Sequence, residues 1–224
     1  MIPTPGSSTD KLTGLLTRKA FSDLFDEALE IHKAGDVPLS LAFIDIDHFM
    51  QINETYGHAA GDEVLVTLAS VLRECGGSNA AVCRYGGDEF MILLPDTERE
   101  QAFLLIEKLR SDMTQRAFDF KNDQEQLDGI SISAGIASAP IDGRLKSELF
   151  RKVDQALYRA KATGRGKVRL AYDERMVPKT SHYTQTQLER LSNLAVERQA
   201  GEAELLREAL DDLIAKYGVN EIER

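Results

Sequence analysis

The segment Arg84-Tyr85-Gly86-Gly87-Asp88-Glu89-Phe90 sets two carboxylates directly after two glycines, between the apolar runs 81–83 and 90–94. This pattern predicts a β-hairpin with an acidic, glycine-rich tip. Glycine allows close approach of a backbone to a ligand, or a positive φ. Carboxylates beside it can hold a hard cation such as Mg²⁺. The same seven residues also fit an ordinary Gly-Gly-Asp turn whose acids face water. More acids, Asp45 and Asp47, follow the apolar run Leu39-Ser40-Leu41-Ala42-Phe43-Ile44. Carboxylates at the end of a buried strand are costly to desolvate unless something pairs with them, and α/β folds often place chemistry there. Lys161 and Arg165 read either as cations at a helix C-terminus or as a clamp for phosphates. Asn53 fits a turn residue, and Asp62 fits the N-terminal end of a helix.

The elements that must position these groups alternate in type. Phe21, Leu24, Phe25 and Ala28 predict one face of a helix, which Gly35-Asp36-Val37-Pro38 breaks before the buried strand 39–44. Leu65, Leu68 and Leu72 predict a helix entered through Gly61-Asp62-Glu63, and Gly76-Gly77-Ser78-Asn79 a loop into the hairpin. A further helix is expected to start at Pro95-Asp96-Thr97, with Ala102, Leu105, Ile106, Leu109 and Met113 buried, followed by a polar loop at 121–128. Residues 130–137 alternate as a strand does. Leu149, Val153, Leu157 and Ala160 mark another helix, stopped by Gly164, and Val168-Arg169-Leu170 a last short strand. Helices alternating with strands around a hairpin predict a mixed sheet with an antiparallel pair.

The chain has 224 residues, room for one domain of about 170 residues plus a small appendage. A formal net charge of −10 argues against broad binding of nucleic acid or membrane through a general basic surface, but not against a local phosphate pocket. Cys75 and Cys83 have no metal-site spacing and read as free thiols in a reducing compartment. Residues 1–9 are rich in Pro, Gly and Ser and read as a flexible start, neither signal peptide nor anchor, with no long sensory domain ahead of the first element. No run approaches the roughly 20 apolar residues of a membrane span, so a cytoplasmic protein is expected.

Six motifs in order resemble the GGDEF family, the diguanylate cyclases. They are DKLTGL (10–15), FIDIDHF (43–49), INETYGHAAGDEVL (52–65), RYGGDEF (84–90), SISAGIA (131–137) and DQALYRAKATGR (154–165). The resemblance covers residues 10–171 and implies an α/β (α+β) fold: a five-stranded mixed central sheet flanked by helices, similar to nucleotide cyclases. It implies condensation of two GTP into cyclic di-GMP with release of two pyrophosphates, each subunit of a homodimer contributing a half-site. The side chains of Asp45 and Asp88 and the backbone carbonyl of Ile46 would hold Mg²⁺ (or Mn²⁺), and Glu89 is a candidate base. Gly86 and Gly87 would leave room for phosphates or ribose. Asn53 and Asp62 match the guanine-reading pair, with Leu65 near the base and His58 among the substrate-binding positions. Aspartate at 62 favours GTP over ATP. Backbone N–H groups of His48 and Phe49, with Lys161 and Arg165, would bind the β- and γ-phosphates.

The chain departs from the family in three places. Met50 stands where a lysine is usual, which removes one phosphate contact. Thr17-Arg18-Lys19 replaces the usual NRR. The window that carries an inhibitory Arg-x-x-Asp in many members reads Gly77-Ser78-Asn79-Ala80, so no product inhibition is expected through it.

Residues 172–224 lie outside the resemblance. A short extended segment (175–184) is expected before two helices, 185–199 and 202–217. Leu188, Leu191, Leu194 and Ala195 would face inward on the first helix; Leu206, Ala209, Leu210, Leu213 and Tyr217 on the second. This arrangement is similar to a ribbon-helix-helix module, which pairs with a second copy because about 45 residues cannot bury a core alone. Such modules bind DNA. Here Glu202 and Glu204 stand where a phosphate would sit, so a dimerising appendage is preferred to DNA binding, with a hairpin folded back on the cyclase third. The alternatives for the whole chain are an idle nucleotide-sensing module and a regulator acting on DNA through this tail.

Overall fold

A computed structural model describes residues 9–35, 37–119, 126–171, 180–198 and 201–216. The chain separates into two compact units, Met1–Asp173 and Glu174–Arg224.

In chain order the first unit contains β1 (Leu16–Thr17), α1 (Arg18–Gly35), β2 (Leu39–Ile46), α2 (Phe49–Tyr56), α3 (His58–Gly76), β3 (Ala81–Gly86) and β4 (Glu89–Pro95). It continues with α4 (Arg99–Gln115), β5 (Ala117–Asp119), β6 (Gln126–Asp128), β7 (Ile132–Ala139), α5 (Lys146–Ala162) and β8 (Val168–Leu170). The sheet is mixed, as expected, but has six strands in the order β1-β3-β4-β2-β7-β8, the two-residue β1 closing one edge parallel to β3. β2, β4 and β3 pair antiparallel, as do β2 and β7, while β8 runs parallel to β7.

Side chains in a strand alternate between the two faces of a sheet, and the two cores divide along that period. Ala42, Ile44, Ile46, Phe90, Ile92 and Leu94 pack with Leu68, Leu72, Ile106 and Leu109 of α3 and α4. Leu39, Leu41, Phe43, Met91 and Leu93 pack with Phe21 and Phe25 of α1 and with Leu149, Val153 and Leu157 of α5. Asp45 and Glu89, in step with the odd-numbered residues of their strands, therefore lie on the α1/α5 face. Gly135 seats α5 on that face. A Cβ there would come within 2.9 Å of Ala156 Cβ, and closer still to the Val153 carbonyl oxygen and the Leu157 nitrogen.

Several expectations need correction. Residues 49–56 form a helix, so Asn53 is helical and not a turn residue. α3 begins at His58, which puts Asp62 in its second turn and not at its N-terminal end. The helix after the hairpin begins at Arg99, where Glu98 and Gln101 form a capping box. Leu24 and Leu105 are only half-buried. Residues 126–128, read as loop, pair with 117–119 as a second small sheet. β7 spans 132–139 and is buried on both faces, because helices cover both sides of a central strand. Both cysteines are free, and burial raises the Cys83 thiol to about 12.

The second unit holds α6 (Gln185–Arg198) and α7 (Glu202–Lys216). Residues 180–184 form no strand; 172–179 and Tyr217 lie outside the described residues. Ala195 is buried, but Leu188 (45%), Leu194 (39%), Leu210 (55%) and Leu213 (50%) are exposed, contrary to their expected inward placement. Two short helices cannot cover all their leucines by contact with each other alone.

Candidate active site

The acidic tip is built by strand register. β3 and β4 form a hairpin with a bulge between Arg84 and Gly86, and Gly87 takes φ +30 in its turn. Ile46 donates its N–H to the Asp88 carbonyl at 3.3 Å, tying the turn to the end of β2. Asp45 pairs with Glu89 on one side and with Ser133 on the other. A Cβ on Gly86 would come no closer to a neighbour than 3.5 Å from Glu89 Oε2, and one on Gly87 would meet nothing within 4 Å, so the space over the turn is open.

Lys161 joins this tip from α5. Its Nζ lies 2.7 Å from Asp45 Oδ2. The helix contact at Gly135 explains the reach. Lys161 lies four residues beyond Leu157, about 6 Å along a helix, and Ser133 lies two residues from Gly135, about 6.6 Å along a strand. The two steps match in length, so Lys161 reaches the row of Asp45 and Ser133.

Three carboxylates feel the lysine. Burial pushes the Asp45 carboxyl up to about 6; Asp88 and Glu89 push the same way, and the Lys161 ammonium opposes them. Burial also raises Glu89, with repulsion from Asp88 and Asp154 added and Lys161 and Arg18 opposing. Asp154 is raised by burial and lowered by Lys161. Among the described residues no three His, Cys, Asp or Glu side chains group as a ready-made metal cage. The donors at the tip are all oxygen: the Asp45 and Asp88 carboxylates and the Ile46 carbonyl. This set fits Mg²⁺ or Mn²⁺, because such ions take one or two carboxylates and complete their shell with substrate phosphates and water.

Next to the tip, His48 adopts φ 58, ψ 29 as the N-cap of α2. The first N–H groups of a helix have no partner within it and favour anions. Asp47, the residue before, is buried and bound to Ser131, Ser133 and Gly166. Arg165 Nε lies 4.0 Å from Asp47 Oδ1. Lys161 thus stands at Asp45 and Arg165 at Asp47, two residues apart at the end of β2, while Met50 is exposed (72%).

The α2–α3 corner brings together the candidate base-reading residues. A Cβ on Gly61 would fall 3.0 Å from Asn53 Cγ, closer still to its Oδ1, and 3.2 Å from Phe49 Cζ. The absent side chain lets the Asn53 amide lie on α3 at Gly61; Asp62, the next residue, is exposed, and Leu65 is buried one turn on. His58 is exposed at the start of α3.

Four contributors carry no site signal of their own in the sequence. Asp47 reads there only as a strand-end acid. Gly61 carries no local signal, since its role depends on Asn53 from another helix. Asp154 precedes Lys161 by seven residues, a helical spacing that puts both on one face. Arg84 donates from Nε to the Gly87 carbonyl (2.8 Å), and its Nη1 lies 3.4 Å from Asp10 Oδ1, which also accepts from Thr13. The N-terminal turn therefore holds the acidic tip.

Residues 7–167 match the family model described as the diguanylate cyclase, GGDEF domain. This chain belongs to the GGDEF family. It is 42% identical over 165 residues to diguanylate cyclase DgcP of Pseudomonas aeruginosa, covering 73% of this chain and 24% of that one. It is 36% identical over 160 residues to response regulator PleD of Caulobacter vibrioides, covering 71% and 35%. The chain thus spans about a third or less of the length of these relatives. The GGDEF domain of DgcB from Caulobacter crescentus, solved in complex with c-di-GMP, superposes with a TM-score of 0.70 at 33% identity, covering 76% of this chain and 99% of that one. The "active GGEEF domain" of a Vibrio cholerae diguanylate cyclase superposes at 0.64 with 34% identity, covering 71% and 99%. The GGDEF tip and its flanking motifs fall inside the residues 7–167 that the family model matches.

Proposed function

We propose that this GGDEF chain is a diguanylate cyclase that joins two GTP into cyclic di-GMP and two pyrophosphates as a homodimer. The observation that carries the reading is the Asp45–Glu89 pair across β2 and β4 with Lys161 Nζ 2.7 Å from Asp45. In each transfer a ribose 3′-oxygen bonds to the α-phosphorus of the facing GTP, the bond to the bridging oxygen breaks, and pyrophosphate leaves. Asp45, Asp88 and the Ile46 carbonyl would hold Mg²⁺ or Mn²⁺, which neutralises triphosphate charge. Glu89, whose affinity for a proton burial raises, would accept the 3′-hydroxyl proton in its ionised form. Lys161, Arg165 and the N–H groups of His48 and Phe49 would orient the β- and γ-phosphates. Asn53 and Asp62 would read the guanine edge, with Leu65 beneath it and His58 at the rim, while the open space over Gly86 and Gly87 would admit the ribose.

No helix among the described residues is long and apolar enough to cross a membrane. GTP chemistry suits a cytoplasmic site. The exposed leucines of α6 and α7 support the tail as a pairing element that raises the local concentration of the second half-site. DNA binding is not favoured, since Glu202 and Glu204 begin α7. Gly77-Ser78-Asn79-Ala80 offers no charged pair for product, so added cyclic di-GMP at low micromolar concentration is expected to leave the initial rate unchanged.

The test is incubation with GTP and Mg²⁺ across protein concentrations, with products separated by chromatography. Cyclic di-GMP formed at a rate rising with the square of dilute protein supports the reading. Its absence at every concentration refutes it. Removal of residues 175–224 is expected to shift both the dimer equilibrium and that concentration dependence.

A further inference from the structure

Asp47 has no part in the chemistry proposed above, yet it is among the most densely bonded side chains near the site. Its carboxylate is fully buried. Oδ2 accepts from Ser131 Oγ (2.6 Å) and from the Gly166 N–H (2.9 Å). Oδ1 accepts from Ser133 Oγ (2.8 Å) and faces Arg165 Nε at 4.0 Å. The serine contacts add little new connection, because β2 and β7 are already laddered at Asp45–Ser133 and Ile46–Ile132. The bond to Gly166 is different, as it crosses 119 positions of sequence to the turn that ends α5.

That turn is strained. Arg165 (φ 58) and Gly166 (φ 60) are consecutive left-handed residues, and for arginine this costs about 1–2 kcal/mol. Strain of this kind persists where surrounding bonds over-determine it. Here the Arg165 N–H donates to the Ala160 carbonyl (3.0 Å), and the Gly166 N–H is shared by Asp47 Oδ2 and Ser133 Oγ (3.2 Å). A guanidinium that meets a carboxylate through Nε still has its Nη donors for a second anion.

We propose that Asp47 is a positioning residue of the phosphate clamp: by binding the Gly166 N–H and facing Arg165 Nε, it sets the guanidinium to receive a nucleotide triphosphate. This rests on the reading that Arg165 binds the β- and γ-phosphates.

The experiment measures binding of α,β-methylene GTP and of GMP, with Mg²⁺, to the full chain by competition against a fluorescent GTP analogue. Asp47→Asn is expected to weaken the triphosphate about tenfold, the scale of one charge-assisted contact, and GMP less than about twofold. In an Arg165→Ala background, Asp47→Asn is expected to add less than about twofold, because a residue acting through Arg165 has nothing left to position. Gly166→Ala strains the turn but keeps the carboxylate, so it supplies the same comparison where Asp47→Asn does not fold. It is expected to reproduce the selective loss for the triphosphate. Equal weakening of GMP and triphosphate, or full additivity with Arg165→Ala, overturns the positioning role while leaving the clamp in place. An Arg165→Ala variant with unchanged triphosphate affinity overturns the clamp and, with it, this inference.

Discussion

Gly135 offers the sharpest test of how the fold builds this site. Replacing it by alanine puts a Cβ within 2.9 Å of Ala156 Cβ and closer still to two backbone atoms of α5. Backbone atoms in the middle of a helix cannot rotate away, so α5 as a whole must recede, by about 1 Å for ordinary carbon contact. Overpacking of this kind costs about 3 kcal/mol. For a domain of this size that lowers Tm by roughly 6–12 °C. The receding helix carries Lys161 away from Asp45, where the Nζ–Oδ2 distance is now 2.7 Å. Misplacement by about 1 Å of a group that orients substrate can reduce turnover about 100-fold. Calorimetric melting and initial rates of cyclic di-GMP formation, measured well below the new Tm, separate the two effects. A Gly135→Ala protein that melts within about 2 °C of the parent, with parental turnover, would falsify the account of α5 seating.

Three other outcomes follow from the site's geometry. Gly61→Ala displaces the Asn53 amide, the movable end of a short side chain, so stability should change by under about 1 kcal/mol while KM for GTP rises about tenfold or more; an unchanged KM counts against Asn53 as a base reader. Asp45, raised to about 6, must ionise to hold a cation, so Mn²⁺ affinity measured by paramagnetic resonance should fall about tenfold from pH 7.5 to pH 5. The stability sign is the reverse. A raised carboxyl favours the fold while protonated, so the metal-free protein should lose on the order of 3 kcal/mol as pH rises through about 6, and Asp45→Asn should remove that dependence. Arg84→Gln frees the Gly87 carbonyl from Arg84 Nε; a rate loss of about tenfold with under about 1 kcal/mol of destabilisation is expected, and a parental rate would show that the acidic tip holds itself.

Much of this fold is legible in the sequence. Runs such as 39–44 and 90–94 are apolar enough to be strands wherever they land, and the Gly-Gly-Asp-Glu turn between two such runs can hardly be anything but a hairpin. The motifs then named the family through their order along the chain. Where the structure departs from these patterns, the reason is tertiary. Residues 126–128 look polar because they pair at a small outlying sheet, and β7 loses its alternation because both its faces are covered. Leu188, Leu194, Leu210 and Leu213 of α6 and α7 have inward periodicity yet remain exposed, since periodicity marks an apolar face without saying what covers it.

What the order of residues determined by itself is local: which segments are strands and helices, where the acids and glycines fall, and hence the chemistry on offer. Register and packing decided the rest. Asp45 meets Glu89 and Ser133 because of two antiparallel ladders. Lys161 arrives because Gly135 lets a helix lie close, and Asp47 reaches Gly166 across 119 positions. These are relations between segments distant in the chain. No local pattern encodes them, because each depends on two backbones brought to van der Waals distance by cores on opposite faces of one sheet.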